Sequence, residues 1–221
     1  MTYVKTGEGD LLTILTSVTS PAPPALPLAG EAFDKQYHNL FGNALRLYFN
    51  QLSKTLGVII TNQNTLLQLP HGAFYDATST QTAAVINTAY PVRFDTTTDS
   101  EGVSVIGTPK TKFVTDIEGH YNFQFSLQVA KTSGGAAYAY VWARVDGVDI
   151  PDSATKLVVQ GTAAEVVAAW NFVLPMQQGS YFELMWAASS TAVQLSLEAA
   201  TAFCPAIPSA IMTVTFVSGL H

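Results

Sequence analysis

The stretch Tyr121–Val129, YNFQFSLQV, sets the architecture of this 221-residue chain. Tyr121, Phe123, Phe125, Leu127 and Val129 alternate with Asn122, Gln124, Ser126 and Gln128. That period of two is the mark of a strand with one apolar and one polar face. An apolar face so rich in aromatic rings needs a second sheet against it. Similar segments flank it on both sides, which predicts strands around 73–76, 90–94, 103–107, 112–114, 121–130, 138–145, 157–159, 166–174, 181–187, 193–197 and 211–217. Turn residues punctuate them at Glu118-Gly119, Ser133-Gly134-Gly135, Asp146-Gly147 and Gln177-Gln178-Gly179. Asp146-Gly147 is the strongest hairpin signal among them. Strands that follow one another without a helix between them predict a sandwich, and a jelly roll is a common double-sheet solution at this size.

Upstream of the strands the periodicity changes. Phe33, Tyr37, Leu40, Phe41, Ala44, Leu45, Tyr48, Leu52 and Leu56 recur at spacings of three and four, and Gly57 stands where a helix would end. The reading is an amphipathic helix over 30–57 that serves as an oligomerisation neck, with 58–70 as a connector and 71–221 as the head. Residues 1–29 read as an extended anchoring arm, because Pro21, Pro23, Pro24 and Pro27 forbid a helix.

Composition narrows the function. Charged residues make up 12% of the chain, about half the usual share. A surface so poor in charge is expected to be covered partly by other copies. Net charge is −6 and the basic residues are dispersed, so no nucleic-acid partner is expected. No apolar run approaches the ~18 residues of a membrane span, and neither membrane insertion nor a secretory signal is expected. The chain has no Asn-x-Ser/Thr acceptor. Its single cysteine, Cys204, is expected to be a buried small hydrophobe.

Chemical constellations are sparse. His38, His71, His120 and His221 have no metal-binding spacing, and neither a G-x-S-x-G elbow nor a phosphate-binding glycine loop occurs. Asp95, Asp99 and Glu101, and likewise Asp146, Asp149 and Asp152, offer oxygen ligands without the fixed spacing of a calcium loop. No enzymatic activity, cofactor or metal is expected. Tyr138, Tyr140 and Trp142 alternate with small apolar residues, so both faces of that strand are apolar. One face suits the core and the other a neighbouring subunit. The expected interface is therefore Phe33, Tyr37, Leu40, Phe41, Tyr48, Leu52, Tyr138, Tyr140 and Trp142.

A resemblance enters at Phe113. In KFVTDIEGHYNFQFSLQV (112–129), Phe113, Gly119, Tyr121, Phe123 and Phe125 resemble the aromatic signature of complement-globular-head and tumour-necrosis-factor-like jelly rolls. WARVDGVDI (142–150), LPMQQGSYFELMWA (174–187) and AIMTVTFV (210–217) are similar to the later strands of that fold. A narrower resemblance, to virion structural proteins of marine bacteriophages, rests on residues 33–54 and 70–92, VVAAWNFVLPM and the closing PAIPSAIMTVTFV. These resemblances imply a homotrimer located on the virion, a head knob or decoration anchored to other virion proteins through residues 1–29. The alternative they imply is a tail-fibre tip or a head that binds a host receptor or glycan. The chain has neither the repeats nor the extended shaft of longer fibres.

Overall fold

The computed structural model describes residues 24–26, 35–67 and 69–220, with side chains for all of these except 60–67. Two compact units divide at Gln68 and Leu69.

The first unit contains one helix, α1 (Lys35–Leu67). Its less exposed side chains are Tyr37, Phe41, Ala44, Leu45, Tyr48, Leu52, Thr55 and Ile59, a stripe at spacings of three and four that winds along one side. Leu40, Leu47, Phe49, Leu56 and Val58 are exposed beside it. The helix does not stop at Gly57, and the predicted connector is helical from Val58 to Leu67. Gly57 is not among the glycines with positive φ, so it is no C-cap. An interior glycine costs a helix only about 1 kcal/mol, less than the continuing hydrogen bonds and the recurring Ile59 return.

The second unit is all β: β1 (His71–Asp76), β2 (Gln81–Thr82), β3 (Tyr90–Pro91), β4 (Thr96–Glu101), β5 (Val103–Gly107), β6 (Lys110–Thr115), β7 (Gly119–Lys131), β8 (Ala137–Val145), β9 (Val148–Asp149), β10 (Thr155–Val159), β11 (Glu165–Met176), β12 (Tyr181–Ala188), β13 (Val193–Leu195) and β14 (Ala210–Ser218). These strands build two 7-stranded antiparallel sheets. Sheet I runs β2-β13-β7-β14-β1-β4, with β11 on the other side of β7. Sheet II runs β10-β8-β12-β6-β5, with β3 on β12 and β9 on β8. From β6 onward the chain crosses repeatedly between sheets, and its last strand lies between β1 and β7. The fold is a jelly-roll β-sandwich preceded by a helix.

The core forms where the apolar face of β7 meets sheet II. Tyr121, Phe123, Phe125, Leu127 and Val129 are buried, as are Ala137, Ala139, Val141 and Ala143 of β8. Phe123 and Phe182 stack across the two sheets at 4.1 Å between ring centroids, and Phe113 meets Phe74 and Phe94 edge-on at 5.1 and 5.0 Å. Small residues on β8 leave room for these rings. Burial of the Tyr121 phenol pushes its pKa up, with a further push from Asp116. Its hydroxyl donates to the Ile117 carbonyl at 2.8 Å.

Local chemistry fixes the corners. Asp146 and Gly147 take φ of 50° and 80°, joining β8 to β9 with Val145 opposite Val148, as the sequence predicts. Gly119 is required by packing. A Cβ there would lie 2.3 Å from the Phe216 ring and 2.7 Å from the Ser218 carbonyl oxygen. Asp76 ends β1 fully buried and accepts hydrogen bonds from Thr78, Gln81, Arg93 and Ser209. The ammonium of Lys131, 2% exposed, donates to the carbonyls of Gly134, Gly135 and Gly161. It ties two loops beneath the β7–β8 corner.

Two expectations need correcting in this unit. The segment 90–94 is a regular strand only over Tyr90–Pro91; beyond it the Val92 amide still donates to the Leu184 carbonyl at 2.8 Å and the Phe94 amide to the Lys110 carbonyl at 2.9 Å, and Val92 and Phe94 reach the core. Cys204 is not buried. It lies half-exposed in the loop between β13 and β14, since the apolar core closes at Ala210.

Candidate functional site

Strand register shows where the missing charge is located. The residues of sheet I that point away from the core fall into rows across its strands. Ala169, Ser126, Ile211 and Tyr75 form one row; Asn171, Gln124, Thr213 and Ala73 form the next; Val173, Asn122, Thr215 and His71 form a third. None of these side chains carries a fixed charge. Val167 and Val173 on β11 are 57% and 54% exposed. Asn171 donates to Asn122 across the sheet at 2.8 Å, so part of the polar content satisfies itself. Charge appears at the borders of these rows, at Glu165 where β11 begins opposite Ala130 and on the edge strand β4, where Asp99 and Glu101 pair with Ala73 and His71.

His71 marks that border. Its Nδ1 lies 2.8 Å from the Leu69 carbonyl oxygen and its Nε2 3.5 Å from Asp99. The hydrogen bond to Leu69 raises its pKa above the ordinary histidine value, and the Asp99 carboxylate adds to the rise. His120 stands at the same end of the face, 3.4 Å from the Ser218 hydroxyl.

The outer face of sheet II differs. Tyr138, Tyr140 and Trp142 point outward and are half-buried, while Ala137, Ala139, Val141 and Ala143 fill the core. Charged groups are fastened to this aromatic ladder. Lys156 sits 3.7 Å from the Tyr138 ring centroid, and Lys112 lies 4.3 Å over Tyr181. The Trp142 Nε1–H and the Arg144 Nε–H both donate to Asp149, at 2.8 and 2.7 Å. Arg144 first, then Trp142, hold the Asp149 carboxyl below the usual aspartate value.

The predicted interface residues thus occupy separate places. Phe33 lies outside the described residues, as do 1–23 and 27–29 of the anchoring arm and His221. Tyr37, Phe41, Tyr48 and Leu52 lie on the helix stripe, and Leu40 lies beside it. Tyr138, Tyr140 and Trp142 share one face of sheet II. Among the other tryptophans, Trp186 is buried in the core, and Trp170 packs edge-on against Phe125 at 4.6 Å. The uncharged face of sheet I was not identified from sequence. Its signal was the alternating set Asn122, Gln124, Ser126 and Gln128, which identifies a polar face without revealing that its neighbours are uncharged too.

The acidic clusters do not assemble. Asp95 accepts from the Ala77 amide, Asp99 meets His71, Asp146 accepts from the Tyr181 amide and Asp149 is held by Arg144. Among the described residues no group of His, Cys, Asp and Glu stands close enough to hold a metal ion. No helix among them is long and apolar enough to cross a membrane.

No family model matches this sequence, and no curated protein matches it. Among solved structures the chain is similar to Eiger TNF from S. frugiperda. Identity is 7%, 70% of this chain and 96% of that chain are covered, and the TM-score is 0.46.

Proposed function

We propose that this chain is a structural protein of a bacteriophage virion, a trimeric head knob or decoration whose copies meet through the outer face of sheet I. The observation that carries the reading is the charge-free set of rows on β11, β7, β14 and β1. A solvated sheet face normally carries charges of both signs, and interface cores are depleted in them. Here Val167, Val173, Ile211 and Tyr75 supply apolar area, while Gln, Asn and Thr supply neutral hydrogen-bonding groups. The α1 stripe through Tyr37, Phe41, Tyr48 and Leu52 adds contact between copies. Virion location rests on the sequence resemblance at 33–54 and 70–92, and anchoring on the proline-rich arm 1–29. The jelly roll is compatible with both.

Thr213 tests the self-association part. It is exposed between Gln124 and Ala73, so Thr213→Glu leaves the head's own packing intact. The expected result is a folded monomer in a sedimentation experiment, with an unchanged far-ultraviolet spectrum. A variant that stays as associated as the parent removes sheet I from the interface. Locating antibody label on intact phage particles tests the virion part. Particles that never carry the protein refute it.

A second reading, a tail-fibre tip or a head that binds a host receptor or glycan, is favoured by sheet II. Its outward ladder presents Tyr140 and Trp142 beside Arg144 and Asp149, with Lys156 lying over the Tyr138 ring. Rings beside fixed hydrogen-bonding groups suit stacking on sugars. Binding to a glycan array that Trp142→Ala abolishes supports this reading, and an array without signal opposes it.

A further inference from the structure

Between β13 and β14 the chain forms a hydrogen-bonded finger. At its base Glu198 and Ile207 exchange both backbone hydrogen bonds, each at 3.0 Å. Near the tip the Thr201 amide donates to the Cys204 carbonyl at 2.9 Å, and the Cys204 amide donates to the Thr201 hydroxyl at 3.1 Å. A turn closed in this way presents its side chains in fixed directions. The one it presents most fully is Phe203, 92% exposed.

The flank of the same finger forms the wall of a groove of about 750 Å³. Leu197, Pro205 and Pro208 come from the finger, Tyr75 and Ile211 from β1 and β14, and Glu198 alone among the lining residues is charged. Tyr75 and Ile211 face each other across the strands and belong to the first uncharged row of sheet I. The groove is therefore the end of the face assigned above to contacts between copies. A finger cannot fill a groove made from its own base, and the exposure of Phe203 shows that its ring does not.

We propose that Phe203 of one copy seats in the groove of the next, a head-to-tail contact that closes into a ring. Ring, finger and groove fit together because each copy carries one of each. A ring occupies all of them, whereas a foreign partner for the groove would leave every Phe203 in water. The proposal rests on the self-association reading and specifies its contact.

The only cysteine of the chain, Cys204, is adjacent to Phe203 and half-exposed, which makes it a reporter. Full-length Ala77→Cys places a second thiol in the groove lining. Under mild oxidation this variant is expected to give covalent multimers ending at the closed ring on a non-reducing gel. Adding Cys204→Ser abolishes them, and Val148→Cys, exposed on sheet II, does not form them. Phe203→Asp is expected to raise the dissociation constant of the assembly about tenfold or more, with unchanged melting of the head, because this ring touches little of its own fold. Cross-linking no stronger than that of Val148→Cys, a disulfide closed within one chain, or a Phe203→Asp assembly as tight as the parent each overturns the proposal. If the parent remains trimeric in those cases, only the finger contact falls. If the parent is a monomer, the self-association reading falls with it.

Discussion

Replacing Asp76 tests whether the head is clamped by a buried charge. Its carboxylate is fully buried at the end of β1. It accepts from the Thr78 amide at 3.0 Å, the Thr78 hydroxyl at 2.7 Å, Gln81 Nε2 at 2.8 Å, Arg93 Nη2 at 2.7 Å and the Ser209 hydroxyl at 3.2 Å. Those donors come from the β1–β2 turn, β2, the segment before β4 and the entry to β14, so one side chain joins four parts of the chain. Asp76→Ala leaves the Arg93 guanidinium and several polar groups without their acceptor. Removing one partner of such a pair costs roughly 3–5 kcal/mol. With an m value of about 2 kcal/mol per molar urea, the unfolding midpoint falls by about 2 M. Asp76→Asn keeps the shape but gives up the charge, and is expected to lose at least about 1.5 kcal/mol.

The pH dependence has a definite sign. Burial raises the Asp76 pKa, but Arg93 and then the Thr78 side chain and amide outweigh it and hold the carboxyl below the ordinary aspartate value. As pH falls, the unfolded chain takes up this proton first. The stabilisation is thus present above about pH 4 and is lost as pH drops through the lower folded value. Urea titrations followed by tryptophan fluorescence report the head alone, because Trp142, Trp170 and Trp186 all lie in it. The gap between parent and Asp76→Asn is expected to be full at pH 7 and to shrink below about pH 4. A loss under about 1 kcal/mol for Asp76→Ala, or a gap indifferent to acid, refutes the reasoning.

Other perturbations follow from the same geometry. Gly119→Ala drives a methyl group into the Phe216 ring and the Ser218 carbonyl; calorimetry is expected to show a loss of about 1–3 kcal/mol, and a neutral outcome contradicts the packing. Gly147→Ala, at φ of 80°, is expected to cost about 1–2 kcal/mol through backbone strain alone, read as a lower melting temperature with the same native spectrum. His71 has a raised pKa in the folded head, so its charge stabilises fully below about pH 6.5 and the gain fades as pH rises through the folded value. The melting advantage of the parent over His71→Gln should therefore be larger at pH 6 than at pH 8. An advantage equal at both pH values contradicts it.

How much of this was legible in the sequence depended on which force built each element. β7, β8, β11 and β12 were readable because burying alternating apolar residues is what makes them strands. β4, TTTDSE, has no apolar face and reads as a threonine-rich loop; it is a strand only because β1 offers it an open edge. β2 is likewise a short addition to β13. At Gly57 the residue type suggested a stop, but the cost of one interior glycine was too small to end the helix. Tyr37, Phe41, Tyr48 and Leu52 recur along the less exposed stripe of α1, whereas Leu40 lies beside it. The sequence also implied hidden surface through its low charge. Which face is uncharged emerges only with register, since neutral residues from four separated strands form one face after pairing. The finger and groove were the least legible, because SLEAATAFCPAIPSA reads as an irregular loop until Glu198 pairs with Ile207.

Association through an uncharged sheet face is the claim on which the functional account depends. Sedimentation equilibrium of the full chain at micromolar concentration measures it without labels or variants. The account expects a mass three times the 23.6 kDa of one chain. A single species at 23.6 kDa would leave the jelly roll intact and contradict the trimer.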